Sequence, residues 1–184
     1  MKLTVRDMIR NLWSENGVRI ICFLLAAMFV MASPFLVPSA VAKGPLRTGD
    51  APPQVSLEDL GGRSLRIPDD VRGKVVILHF WASGCSSCRE EMPAMESLIA
   101  RYGKRGLTIL AINVGQRKDT VKAFVEGLKV TYPILLDPYK NMAGEYGVVG
   151  VPRTFILDRN GLIRYKIIGG ASMESLNKLV HSLL

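Results

Sequence analysis

Residues able to hold a metal are scarce in this chain, which has two histidines and three cysteines among 184 residues. A zinc site usually draws on a second C-x-x-C pair or on two suitably spaced histidines. Beyond Cys85 and Cys88 the chain offers only Cys22, His79 and His181, which argues against zinc. Aromatic residues make up only 7% of the chain, and the basic residues, Arg63, Lys74, Arg101, Lys118 and Lys166 among them, are scattered rather than bunched with aromatic neighbours. The net charge of +8 therefore reads as a solvated surface, not a nucleic-acid interface. There is no internal repeat and no low-complexity tract, so solenoids and disordered arrays are set aside.

Long charge-free apolar runs are rare too, and the one that exists lies near the N-terminus. Lys2, Arg6, Arg10 and Arg19 precede an uncharged stretch from Ile20 to Val37, broken late by Pro34. Ala40-Val41-Ala42 follows as a small-x-small site, with Pro38 just before it to end a helix. Residues 1–42 are thus expected to be a signal peptide cleaved before Lys43, with an uncleaved membrane anchor through residues 20–37 as the alternative. Either way the basic end stays cytoplasmic and the chain from about residue 43 is translocated, to the bacterial periplasm or the outer face of the cytoplasmic membrane. Cys22 opens the apolar run instead of following it, so it reads as a small apolar residue and not as a lipidation site.

The chemistry concentrates at Cys85-Ser86-Ser87-Cys88. The apolar run Val75–Trp81 before it suits a strand covered on both faces, and a helix-like run begins near Arg89. Thiols three positions apart at a helix start can close a disulfide. The first lies near unpaired N–H groups and the positive end of the helix dipole, which favour its thiolate. The second is better shielded and free to attack a mixed disulfide. Cys85 is therefore the expected nucleophile and Cys88 the resolving thiol, with no cofactor beyond this redox-active pair.

Residues 43–53, rich in Gly and Pro, read as a linker ahead of a domain spanning 54–184. Strands are expected at Val55–Leu57 and Ser64–Ile67 as a hairpin around Gly61-Gly62. Further strands are expected at Leu107–Val114, Ile134–Leu136, Arg153–Leu157 and Leu162–Ile168. Helices are expected after the cysteines, with a kink at Pro93, then at Thr120–Leu128, at Pro138–Tyr146 and at the C-terminus. This order makes an α/β domain with a mixed central sheet flanked by helices.

These residues carry a resemblance from Asp50 to Leu184. Its marks are Leu57-Glu58-Asp59-Leu60-Gly61-Gly62, Arg72-Gly73-Lys74-Val75-Val76, Phe80-Trp81-Ala82, the cysteine pair with Arg89-Glu90-Glu91-Met92-Pro93, Tyr146-Gly147-Val148, and Gly150-Val151-Pro152-Arg153-Thr154-Phe155. The chain resembles the TlpA/ResA-like branch of thioredoxin-fold thiol–disulfide oxidoreductases, which is also similar to the CcmG (DsbE) reductases of cytochrome c maturation. The resemblance implies a thioredoxin-like fold with an N-terminal hairpin and an inserted helix–strand segment, about 119–136, that helps shape partner choice. It implies that Val151-Pro152 forms a cis-proline loop that binds the partner chain, and that Glu91 tunes the cysteine pair. A plain surface glutamate beside Glu90 is the alternative for Glu91. The implied partners are protein thiols and disulfides, apocytochrome c among them, and a membrane electron donor of the DsbD/CcdA kind.

Two departures stand beside the pair. Gly84 occupies the place where the family usually has Trp, and Ser87 the place where proline is common. Gly84 and Trp81 complete the expected substrate-facing set, Trp81 chiefly as packing beside the site. His79 shares strand parity with Val75, Ile77 and Trp81 and stands where thioredoxins carry a buried acid. It is a candidate proton acceptor for Cys88, or else a hydrogen-bonded core histidine. Two other readings of the fold stay open: a peroxiredoxin-type peroxidase, which Ser83-Gly84-Cys85 fits poorly, and a Sco-like copper-binding chaperone, for which His181 is a poor distal ligand.

Overall fold

In the computed structural model, residues 46–184 are described; the expected signal or anchor segment 1–42 lies outside them, as do the first residues of the expected linker. Among the described residues no helix is long and apolar enough to cross a membrane. Among the described residues seven strands form one sheet: β1 (Val55–Asp59), β2 (Ser64–Ile67), β3 (Val75–Trp81), β4 (Leu107–Val114), β5 (Ile134–Asp137), β6 (Arg153–Leu157) and β7 (Ile163–Ile168). Their order is β2-β1-β5-β4-β3-β6-β7. β3 pairs parallel with β4, and β4 with β5, while β6 and the β1–β2 hairpin run antiparallel to their neighbours. This is the expected mixed, thioredoxin-like sheet.

Every residue of β3 is buried, as an apolar run of both parities demands at the centre of a two-faced sheet. Alternation along the strand then sends Val75, Ile77 and Trp81 to one core and Val76, Leu78 and Phe80 to the other. The first core is closed by α1 (Ser86–Tyr102), α2 (Lys118–Glu126) and α4 (Met173–His181), the second by α3 (Asn141–Glu145) and the N-terminal segment. Phe80, Tyr146 and Phe155 lock the second core with edge-on and tilted ring contacts 5.4–5.9 Å apart.

Two helix starts differ from expectation. α1 starts at Ser86, three residues before the helix-like run read from about Arg89, because Cys85 caps it. The same helix stays continuous through Pro93, which lies on its exposed side. α3 begins at Asn141, not at Pro138: Asp137 folds the chain back by accepting from the Ala143 N–H at 2.8 Å, and Lys140 takes a left-handed φ of 58°. A second cis bond, Ile67–Pro68, has no counterpart in the sequence expectations.

Residues 46–53 are not a free linker. The Gly49 N–H donates to the Ile163 carbonyl at 2.7 Å and the Ile163 N–H to the Asp50 carbonyl at 3.0 Å, so the segment lies along the open edge of β7. Leu46 is 7% exposed and belongs to the second core. Its truncation, Leu46→Ala, should cost about 2 kcal/mol in denaturant unfolding, as a buried leucine does. A loss within about 0.5 kcal/mol, the usual value for surface positions, would return the segment to linker status.

Candidate active site

β3 ends at Trp81 and the chain turns through Ala82-Ser83-Gly84, so Cys85 and Cys88 open α1 at the C-terminal edge of the sheet. The two sulfurs are joined in a disulfide. Cys85 is the N-cap residue: its sulfur accepts the Cys88 N–H at 3.2 Å and lies 3.5 Å from the Ser87 hydroxyl. A capping sulfur thus takes the place that a serine or aspartate oxygen usually fills, facing the positive end of the helix. Cys85 is half-buried, whereas Cys88, one turn in, is fully enclosed in the first core.

Two buried titratable groups belong to the strand and the helix that carry the pair. His79 is completely buried, on the β3 parity that feeds the core holding Cys88. Its Nδ1 shares a hydrogen bond of 3.0 Å with Thr154 Oγ1, its partner across the β3–β6 ladder, while Nε2 has no partner. Burial pulls its pKa from 6.5 down to about 4, so it is neutral at physiological pH. Glu91 is not the surface glutamate that its neighbour Glu90 is. It is only 8% exposed, its Oε1 accepts from the Ala171 N–H at 3.1 Å, and its Oε2 is buried without a partner. Burial raises its pKa above the ordinary carboxyl value, and the Ala171 N–H opposes that rise.

Around the disulfide, Gly84 is exposed with open space where a side chain would stand, so the missing indole leaves a gap on the approach to Cys85. The peptide Val151–Pro152 is cis, and the β3–β6 register carries Pro152 to the level of Trp81, at the edge where α1 begins. Pro152 is buried and Val151 partly exposed. Trp81 needs correction as a substrate contact: it is fully buried and stacks on Phe124 of α2 with centroids 4.9 Å apart, so no partner chain reaches it. On the far side of Phe124 sits the Arg89 guanidinium, 4.3 Å from the ring centroid. The inserted helix is thereby fixed to the active-site helix through an aromatic ring.

One cluster was missed from sequence. Gln116 Oε1 accepts from the Ser83 N–H at 2.8 Å and from Asn113 Nδ2 at 2.9 Å, and Gln116 Nε2 donates to Ser83 Oγ at 2.7 Å. It pins the turn before Cys85 to the loop after β4. The available signal was Asn113, the one amide in a mostly apolar strand, next to its last residue. The copper-chaperone alternative meets a geometric obstacle: His181 packs on Tyr102, centroids 6.2 Å apart, at the far end of α1. That is about 25 Å of helix from Cys85.

Comparison with known proteins agrees with this geometry. The AhpC/TSA family model matches residues 48–166. A thiol–disulfide oxidoreductase ResA from Geobacillus thermodenitrificans is 38% identical over 166 residues, 89% of this chain and 92% of that protein. The thioredoxin-like protein YneN of Bacillus subtilis is 35% identical, over 72% of this chain and 78% of its own. Among solved structures, a Chlorobium tepidum protein assigned as the thiol:disulfide interchange protein DsbE superposes with a TM-score of 0.71 at 28% identity, over 75% of this chain and 98% of that one.

His79 makes a prediction with a definite sign. Its folded pKa is depressed, so the stability it contributes is present above pH 6.5 and is lost as the pH falls toward 4. The loss should be on the order of 3 kcal/mol by pH 4. Glu91, with a raised pKa, has the opposite sign, since its contribution is lost as pH rises through the folded value. The quantity to read is therefore the difference between wild type and His79→Asn in urea unfolding across that range. It should narrow as the pH drops; a constant difference would mean that His79 does not titrate on unfolding.

Proposed function

The chain belongs to the AhpC/TSA family and, within it, to the ResA-type thiol–disulfide oxidoreductases; from that premise we propose that it is an exported reductant that passes two electrons from its dithiol to disulfides of other translocated proteins, apocytochrome c among them. The observation that carries this reading is the unequal exposure of the two sulfurs: Cys85 is open to a partner at a helix N-terminus, and Cys88 is sealed in the core.

The step runs as follows. The Cys85 thiolate attacks one sulfur of the client disulfide, forming a mixed disulfide and expelling the other client sulfur as a thiolate that takes up a proton. Cys88 then loses its proton and attacks Cys85 Sγ, the mixed disulfide breaks, and the second client thiolate leaves and is protonated. The client gains two electrons and two protons, and the Cys85–Cys88 disulfide is restored. A membrane conduit of the DsbD/CcdA kind would reduce it again from the cytoplasmic side.

His79 and Thr154 support the second step. With Nδ1–H donated to Thr154, Nε2 keeps a free lone pair on the strand face that feeds the core holding Cys88, and we assign it to the Cys88 thiol of the reduced protein. Full transfer from an ordinary thiol to a base of pKa about 4 lies about 6 kcal/mol uphill, so His79 orients and polarises the S–H and carries its proton only in passing. Glu91 acts in the opposite direction: an anion one turn below the pair disfavours a thiolate and raises the thiol pKa. Pro152 and Val151 receive the client backbone at the rim, and Gly84 leaves room for the client side chain next to its cysteine.

The trap experiment is direct. Expressed with its leader intact, Cys88→Ser should accumulate mixed disulfides with exported proteins, visible as reducible adducts, and Cys85→Ser should give none. Adducts on Cys85→Ser in equal amount would reverse the order of attack. Adducts recovered only with cytosolic proteins would overturn the export reading.

A further inference from the structure

We infer that Gly170, in the loop between β7 and α4, is the positioning residue that seats the Glu91 carboxylate beneath the dithiol. The inference rests on the reading of Glu91 as the group that tunes the cysteine pair. Glu91 follows Cys88 by three positions on α1 and Ser87 by four, so it projects from the same helix face one turn further in. There its carboxylate meets the Gly169-Gly170-Ala171 loop. Oε1 accepts from the Ala171 N–H at 3.1 Å, and a Cβ built on Gly170 would stand 2.6 Å from that same oxygen and 3.8 Å from the Ser87 Cβ.

The reason for glycine here is space, not backbone. Gly169 holds a left-handed φ of 82°, whereas Gly170 does not lie in that region and would accept an alanine on backbone grounds. What alanine cannot share is the volume occupied by the carboxylate. The obstructing atom is the end of a flexible side chain, so the conflict resolves by swinging Glu91 out rather than by unfolding the loop. The same loop holds the rim of the site, because the Gly169 N–H donates to the Pro152 carbonyl at 3.0 Å. Three glycine-loop residues thus connect the client-binding turn to the acidic group under the thiols.

The test is the thiolate titration of Cys85 in the reduced, full-length protein, followed as the pH dependence of its alkylation rate with the label located by peptide mass, in four forms: wild type, Gly170→Ala, Glu91→Ala and the double variant. Gly170→Ala should lower the midpoint by about half a pH unit, in the same direction as Glu91→Ala. In the Glu91→Ala background it should add nothing. A shift from Gly170→Ala that persists without Glu91, or no shift from Gly170→Ala while Glu91→Ala moves the midpoint, overturns the assignment of Gly170. If Glu91→Ala itself leaves the midpoint unchanged, the reading of Glu91 fails and the seat loses its purpose. Should Gly170→Ala fold poorly, Ala171→Pro removes the N–H that holds the carboxylate and sets the proline Cδ in its place, which unseats Glu91 by a second route. It should shift the midpoint the same way, and an unchanged midpoint there counts against the seat.

Discussion

The backbone N–H of Cys88, donating to the sulfur of Cys85 across 3.2 Å, is the interaction around which the rest of the molecule is arranged. It makes a sulfur the cap of a 17-residue helix. A cap is ordinarily a matter of about 1 kcal/mol of helix stability, and the dipole adds a few tenths to about 1 more. At a redox site the same energies favour the thiolate of one particular cysteine. The effect depends on the helix starting where it does, which is why the turn before it is so heavily tied. Ser83 is held by Gln116, Trp81 by Phe124, and Phe124 by Arg89 from the active-site helix itself.

A second constraint is the polarity kept under the pair. His79, Thr154 and Glu91 occupy positions where apolar side chains would pack at less cost, and both His79 Nε2 and Glu91 Oε2 are buried without partners. Unpaired buried polar atoms cost about 1–3 kcal/mol each. Their retention fits a site where protons must leave a sealed thiol and where thiolate stability must be held in check. The two groups are shifted in opposite senses, His79 down and Glu91 up, and burial leads both shifts. Burial penalises the charge on each: it leaves His79 neutral at physiological pH, while the Glu91 carboxylate keeps the Ala171 N–H as a partner.

The sheet was legible in the sequence because its strands announce themselves. Val75–Trp81 and Leu107–Val114 are apolar on both parities, and Gly61-Gly62 and Asp158–Gly161 mark turns. The cysteine pair and the shielding of Cys88 followed from their spacing at a helix start, the position of His79 from strand parity, and the cis-proline turn from the family resemblance alone. What stayed hidden depends on contacts between residues distant in sequence. The helix-like pattern read from about Arg89 put the cysteines near a helix start, but the cap bond from the Cys88 N–H to the Cys85 sulfur, which begins α1 at Ser86, leaves no mark in that pattern. Gly and Pro spacing suggested a linker for residues 43–53, while the bond pair to Ile163 is set by an edge strand more than 100 residues later. Glu91 and Glu90 are adjacent acids on one helix; only the approach of the Gly169–Ala171 loop separates a buried carboxylate from a solvated one.

The account stands on Cys85 being the reactive thiol because it caps the helix, with Cys88 silent because it is enclosed. The direct measurement is alkylation of the fully reduced protein by a limiting amount of a small iodo-reagent at a single pH, with the labelled cysteine located by peptide mass. The account predicts label on Cys85 and almost none on Cys88 until the protein is denatured. Equal labelling of the two in the folded protein would contradict it.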